Sequence, residues 1–311
     1  MVRRRSLLLV AGGLLAGCTR GHEVDEVELR LATGPAGAVY RRIGGALAQH
    51  ITQEVPGATV TTVPSGASTD NIRMLRAGDV HLGLSSVDAT ITDDGSAPAG
   101  ISAVCRLYDS YLHLVVLAGS PVDDLRDLDG RTVSLGAHDS GTEFTARRVL
   151  ALGPGRIEGR SMSQAESAAA LGTGGIDAMF SLTGVPTPAI TELAQRQPIR
   201  MIPLGEQADL LVRAYPGPYA PARIPSTAYA GVPATPTVAV PNVLLARNDL
   251  PDDLVYAITD TIFTHTGAIT AGGDDAEALP EAWQINVRTG ISTATIPLHP
   301  GAAAWFKDRK R

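Results

Sequence analysis

The chain has 311 residues, 44% of them apolar and 19% charged, with a formal net charge of −6. That length is more than one ordinary core serves and suits two lobes, and the composition excludes a disordered chain. Outside Arg3–Arg5 and the last residues, Lys307–Arg311, there is no basic run, which argues against a nucleic-acid partner.

At the N-terminus, Arg3, Arg4 and Arg5 precede an apolar stretch, Leu7–Leu15. It is about half the ~20 residues that span a bilayer, as in a signal segment rather than a membrane anchor. Leu15-Ala16-Gly17-Cys18 resembles the lipobox of bacterial lipoproteins. The resemblance implies a signal peptide over 1–17, a lipid on Cys18, a linker over 18–26 and an extracytoplasmic location at the cell membrane. Arg4-Arg5-Ser6-Leu7-Leu8 also resembles a twin-arginine export signal, and the route, twin-arginine or general, stays open. Without Arg3–Arg5 the net charge of −6 falls by three more, to −9. With Cys18 acylated, Cys105 has no partner for an intramolecular disulfide; in the apolar run "ISAVCRLY" it reads as a buried, inert thiol.

The scarcity of aromatic residues, 4%, leaves Val, Leu, Ile and Ala to build the core, as in sheets covered by helices. Strands are expected at Val27–Ala32, Thr59–Val63 and Val80–Ser85. Helices are expected between them at Tyr40–Thr52, with Ile43, Leu47 and Ile51 on one face, and at Ser68–Ala77, stopped by Gly78. Two apolar runs follow, Ile101–Tyr108 and Leu112–Ala118. A second alternating set has helices near Glu143–Leu152, Gln164–Leu171 and Ala189–Gln195, with strands at Ile176–Phe180 and in "IRMIPL". Tyr215–Pro236, rich in Pro, Gly and Tyr, reads as a functional loop or an inter-lobe segment. A strand over Thr237–Ala246, a helix opened by Pro251 and a last helix after "IPLHPG" complete an α/β chain that builds one lobe, crosses to another and returns.

The seven histidines show no zinc-motif spacing, and no G-x-S-x-G elbow, dinucleotide fingerprint or P-loop lysine occurs. No metal, cofactor or catalytic constellation is therefore expected. What does recur is a strand ending in a small-residue turn that opens a helix. It occurs at Gly34–Tyr40 and again at Ser140-Gly141-Thr142. Unpaired amides and the positive end of the helix dipole at such turns attract an anion, and Gly37 and Gly141 remove the side chain that would block it. The same residues also suit two routine capped turns.

Five blocks, "GPAGAVYRRIGGALA", "TVPSGASTDNIRMLRAGDVHLGLSSVDA", "TVSLGAHDSGTEFTARRVL", "GGIDAMFSLTGVPTPAI" and "IPLHPGAAAWF", occur in that order. Together they resemble the TAXI family, the extracytoplasmic solute receptors of TRAP transporters. The resemblance implies a two-lobed periplasmic-binding-protein-like α/β fold of type II with a hinge. Lobe one would comprise 27–108 and 240–311, and lobe two 109–239. It implies a non-enzymatic receptor that captures a small carboxylate, such as glutamate or 2-oxoglutarate, for a TRAP-type permease. A sensory subunit signalling to a membrane kinase is the alternative.

Carried over by position, the first-lobe wall would use Gly37, Val39, Tyr40, Ser65, Gly66, Ser68 and Asn71, with Ser85, Ser86 and Asp88 after the third strand. The second lobe would supply Ser140, Gly141, Thr142, Gly184, Val185 and Pro186. Where the family commonly reads T-G-G-T-Y-Y, this chain has Ala36-Gly37-Ala38-Val39-Tyr40-Arg41. A hydroxyl is lost at Val39. Arg41 is either a cation for the carboxylate or a solvated helix residue.

Overall fold

The computed structural model describes residues 26–35, 38–91, 96–153, 156–271 and 279–309. Cys18 and Gly37 lie outside the described residues. No described helix is long and apolar enough to cross a membrane.

The first half opens with β1 (Val27–Ala32), α1 (Val39–Glu54), β2 (Ala58–Val63), α2 (Ser68–Ala77) and β3 (Leu82–Ser86). β1 pairs in parallel with β2 and β3. Parallel pairing needs a helical crossover each time, which α1 and α2 supply. Ile43, Leu47 and Ile51 are buried on one face of α1, and Gly78 ends α2 in the left-handed conformation that a Cβ resists.

One 17-residue strand, β4 (Ile101–Leu117), replaces the two separate runs expected from sequence. Asp109 and Ser110 looked like a break, but both are satisfied within the strand. Asp109 takes two hydrogen bonds from Arg106, and Ser110 takes one from Asn242. The second half follows, with β5 (Thr132–Ser134), α3 (Gly141–Leu150), β6 (Glu158–Arg160), α4 (Gln164–Gly172), β7 (Ala178–Thr183), α5 (Pro188–Arg196), β8 (Ile199–Met201), α6 (Gly205–Ala214) and β9 (Ala220–Ile224). β10 (Thr235–Arg247) then returns along β4, and α7 (Asp252–Thr264), α8 (Thr266–Thr270), α9 (Val287–Gly290) and α10 (Pro300–Asp308) close the chain.

The stretch expected as a functional loop or an inter-lobe segment, 215–236, contains β9, which pairs antiparallel with β10, and buries Tyr219 and Tyr229. Its irregular composition reflects a short edge strand packed over β10.

The strands form one continuous sheet in the order β2-β1-β3-β10-β4-β7-β5-β6. β4 and β10 are antiparallel and long enough to belong to both halves. The cores divide accordingly. One group joins α1, β1 and β3 to Trp305 and Phe306, while another joins β5, β7, α3 and α6. Between the halves the register of β10 on β4 shifts from Pro241 to Val243. Pro241 donates no amide, so the ladder is weakest where the two cores part.

Candidate functional site

A cavity of about 340 Å3 opens at the carboxyl ends of the parallel strands, between the starts of α1, α2 and α3. This is where open α/β sheets place their ligands. Val39, Tyr40, Gly66 and Ser68 line it from the first half; Ser140, Gly141, Thr142 and Thr183 line it from the second.

Tyr40 comes from the first turn of α1, which has no side-chain cap. Its hydroxyl donates to Asn242 Oδ1 at 2.5 Å and lies 3.3 Å from Ser68 Oγ. Burial pushes this phenol well above its ordinary value, so it stays a neutral donor. Asn242, on β10, in turn donates to Ser110 Oγ at 2.8 Å and to the Tyr108 carbonyl at 3.2 Å. Ser68 Oγ accepts the Ser86 amide at 3.0 Å. One chain of hydrogen bonds therefore runs from β3 through α2 and α1 to the two crossing strands.

Opposite it, Ser140 caps α3 by accepting the Glu143 amide at 3.1 Å. The amides of Gly141 and Thr142 belong to the first turn that a helix leaves without internal partners. Thr142 Oγ1 accepts the Leu182 amide at 3.0 Å, which fixes the hydroxyl at the end of β7. Gly141 is the point of closest approach. A Cβ there would stand 2.7 Å from Ser68 Oγ and 2.8 Å from Ser86 Oγ. The two halves are thus closed on one another.

Of the residues expected from sequence, Val39, Tyr40, Gly66, Ser68, Ser140, Gly141 and Thr142 line this cavity, and Arg41, Ser65, Asn71, Ser85, Ser86, Asp88, Gly184, Val185 and Pro186 do not. Arg41 is about 100° round α1 from Tyr40. Its Nη1 is buried without a hydrogen-bond partner among the described residues. Asn71 is a structural clamp. It donates to the carbonyls of Thr33 and Leu84, both at 2.7 Å, and accepts from Ser65 Oγ, so neither side chain turns to the cavity. Ser86 stands behind Ser68. Gly184 packs against the Glu281 side chain, and the cavity wall is instead made by Leu182 and Thr183 before it and by α5 from Pro188 after it.

Asp88 is wholly buried outside the cavity. It accepts from Thr145 Oγ1 at 2.6 Å and from Tyr219 Oη at 3.0 Å, both from the second half. Burial raises its pKa, against the pull of its hydrogen bonds from Thr145, Ser86 and Tyr219. Arg148 reaches Tyr219 Oη at 3.1 Å and stacks over Phe144 and Tyr215. The group is a contact between halves.

Sequence reasoning missed Asn242 and Ser110. Nothing near "AVPNVLL" signals a polar position, because the pattern there is that of a buried strand. His138, Asp139 and Glu143 are the one grouping of metal-ligating types among the described residues. One Glu143 oxygen holds Arg147 at 2.6 Å and the other holds the Asp139 amide at 2.9 Å, so the group is a brace on α3.

Solved structures share this architecture. The periplasmic aliphatic sulphonate binding protein SsuA from Escherichia coli superposes with a TM-score of 0.50 at 16% identity, over 90% of this chain and 82% of its own. A Xanthomonas citri protein bound to chloride gives 0.51 at 12% identity, over 90% and 95%. An ancestral arginine-binding protein bound to arginine gives 0.50 at 15%, over 80% and 97%. The fold is that of the two-lobed periplasmic binding proteins. Residues 31–309 match the model of the NMT1-like family.

Proposed function

The chain belongs to the NMT1-like family, and from that premise we propose that it is an extracytoplasmic receptor which captures a small acid between its two lobes and presents it to a membrane transporter. We assign lobe one to 27–108 and 240–311, lobe two to 109–239, and the hinge to the crossing strands near Ser110 and Pro241. The partner in this reading is a TRAP-type permease, and Cys18 carries the lipid that keeps the receptor at the membrane.

The observation that carries the reading is the closed cavity itself, in which the free donors, the Ser140 and Thr142 hydroxyls and the Gly141 and Thr142 amides, face the hydroxyls of the first half. Tyr40 and Ser68 face Ser140, Thr142 and the α3 amides across it. Hydrogen bonds to a charged group contribute about 1.5–3 kcal/mol each when water is excluded. Three or four of them hold a carboxylate without a fixed cation. The net charge of −6 gives no long-range attraction to an anion, and salt screens such fields beyond ~10 Å in any case. Affinity comes from contacts made on closure. The reading is of a binder, with no chemical step.

Calorimetry and thermal shift on the mature chain with 2-oxo acids, dicarboxylates, monocarboxylates and amino acids test it. Saturable binding of at least one acid is expected; a panel in which none binds sinks the reading. Co-purification with a permease encoded beside it tests the transport assignment separately.

A further inference from the structure

The cavity is larger than the carboxylate site just described, and its two ends differ in chemistry. Its inner end is walled by hydroxyls and an amide, those of Tyr40, Ser68, Ser110, Ser140, Thr142 and Asn242. From there it continues outward between α4 and α5. That arm is walled by Ala165, Ala168 and Ala169 on α4 and by Ala189 and Leu193 on α5. Positions 165, 168 and 169 share one helical face, as do 189 and 193. Each alanine leaves unfilled the space that a longer side chain would take between two packed helices.

We propose that the ligand is an amphipathic monoacid, with its carboxylate at the inner end and a slender, uncharged apolar chain lying in the arm between α4 and α5. The inference rests on the receptor reading above and narrows it.

Charge decides against the alternatives. Among the described residues lining the cavity, Glu192 and Arg196 are the only charged ones. They stand at the outer rim, largely exposed, and pair with each other at 3.5 Å. The inner wall therefore offers no carboxylate to an α-ammonium group and no cation to a second carboxylate. Desolvating either charge without a partner is costly. The alanine wall rewards methylenes instead, since burial of each CH2 raises affinity about fourfold. The inner polar end fixes direction, because the hydroxyl and amide donors gather there, while along the arm Gln164 is engaged with Ser181 and Arg196 with Glu192.

The test is calorimetry on the mature chain with unbranched monocarboxylates from propanoate to octanoate. It is repeated on Ala165→Leu and Ala169→Leu. Both alanines are exposed helix positions where leucine keeps the helix, and circular dichroism checks the fold. Affinity is expected to rise about fourfold per methylene until the arm is full. Each leucine should abolish that rise while leaving the shortest acid that binds unchanged. A flat series, or a rise that both leucine variants retain, overturns the inference. Dicarboxylates or amino acids binding more tightly than every monocarboxylate overturn it too and leave the receptor reading standing. Failure of every acid to bind overturns both.

Discussion

Thr145 Oγ1, on α3, donates to Asp88 Oδ2 at 2.6 Å across the boundary between the two halves, and both side chains are wholly buried. The hydroxyl also lies 2.9 Å from the Gly141 carbonyl in its own helix. Tyr219 Oη adds a second donor to the same carboxylate oxygen at 3.0 Å. Oδ1 takes the Ala89 amide of its own half at 2.9 Å, so it is Oδ2 whose donors depend on the halves staying together.

Thr145→Val keeps the shape and removes the hydroxyl. We expect a loss of about 1–3 kcal/mol, the cost of a buried acceptor losing a donor, read as a lowered denaturant midpoint at neutral pH. Ligand affinity should fall as well, because the closed form loses a contact that does not touch the ligand. A midpoint within error of the parent would show that Tyr219 alone suffices.

His113 gives the pH dependence. Burial pushes its imidazole down to about 4, against hydrogen bonds to the Tyr111 and Ser181 carbonyls that favour the charged form. Nδ1 faces those carbonyls and Nε2 faces Tyr229 Oη at 3.0 Å, so the neutral ring is protonated on Nδ1 and accepts from the tyrosine. A folded pKa below the unfolded value of about 6.5 contributes stability that is fully present above pH 6.5. It is lost as pH falls from there towards 4, by roughly 3 kcal/mol. His113→Gln should be less stable than the parent at pH 8 and should lose less of its stability between pH 6.5 and 4. Parallel stability curves for the two proteins would remove His113 from the acid transition.

Much of this architecture was readable in residues that repeat a local rule. Ile43, Leu47 and Ile51 announce the buried face of α1, and Gly78 announces the end of α2. Each is decided within one or two turns of chain. The errors share a different cause. Asp109-Ser110 looked like a break because the partners that satisfy them, Arg106 and Asn242, include one from a strand over a hundred residues away. Asp88 was expected against ligand, but its partners Thr145 and Tyr219 come from the other half, which no local pattern reveals. Asn71 has the residue type of a ligand contact, yet its amide is used to hold the carbonyls of Thr33 and Leu84. Residue type marks what a side chain can bond, and only the fold decides to what.

Tyr40→Phe tests the inner wall. The change removes the donor to Asn242 Oδ1 and the acceptor for Ser68, and leaves the ring in place. The Asn242 oxygen then faces the cavity unpaired. We expect acid affinity to fall at least tenfold, about 1.4 kcal/mol, with a smaller loss in thermal stability. Asn242→Ala should do the same, since it frees the Tyr40 hydroxyl from its acceptor and lets the ring turn. Equal affinity in both variants would move the head group to the α3 side alone.

Gly141 separates folding from closure. A Cβ there stands 2.7 Å from Ser68 Oγ and 2.8 Å from Ser86 Oγ, both from the opposite half. Neither serine can retreat, because Ser68 Oγ holds the Ser86 amide at 3.0 Å and both are buried against β3. Within its own half, Gly141 starts a helix at an ordinary backbone geometry, so valine is tolerated there once the halves part. Gly141→Val should therefore still fold, with a midpoint lowered about as much as in Thr145→Val because parting the halves breaks the Asp88 contact too, adopt a larger radius of gyration in X-ray scattering, and lose acid binding by more than tenfold. Gly141→Ala places the same clash with less bulk and should show a smaller expansion. Parent-like affinity in the valine variant would mean that the acid is held by one half alone, and that the contact of α3 with Ser68 is packing and not capture.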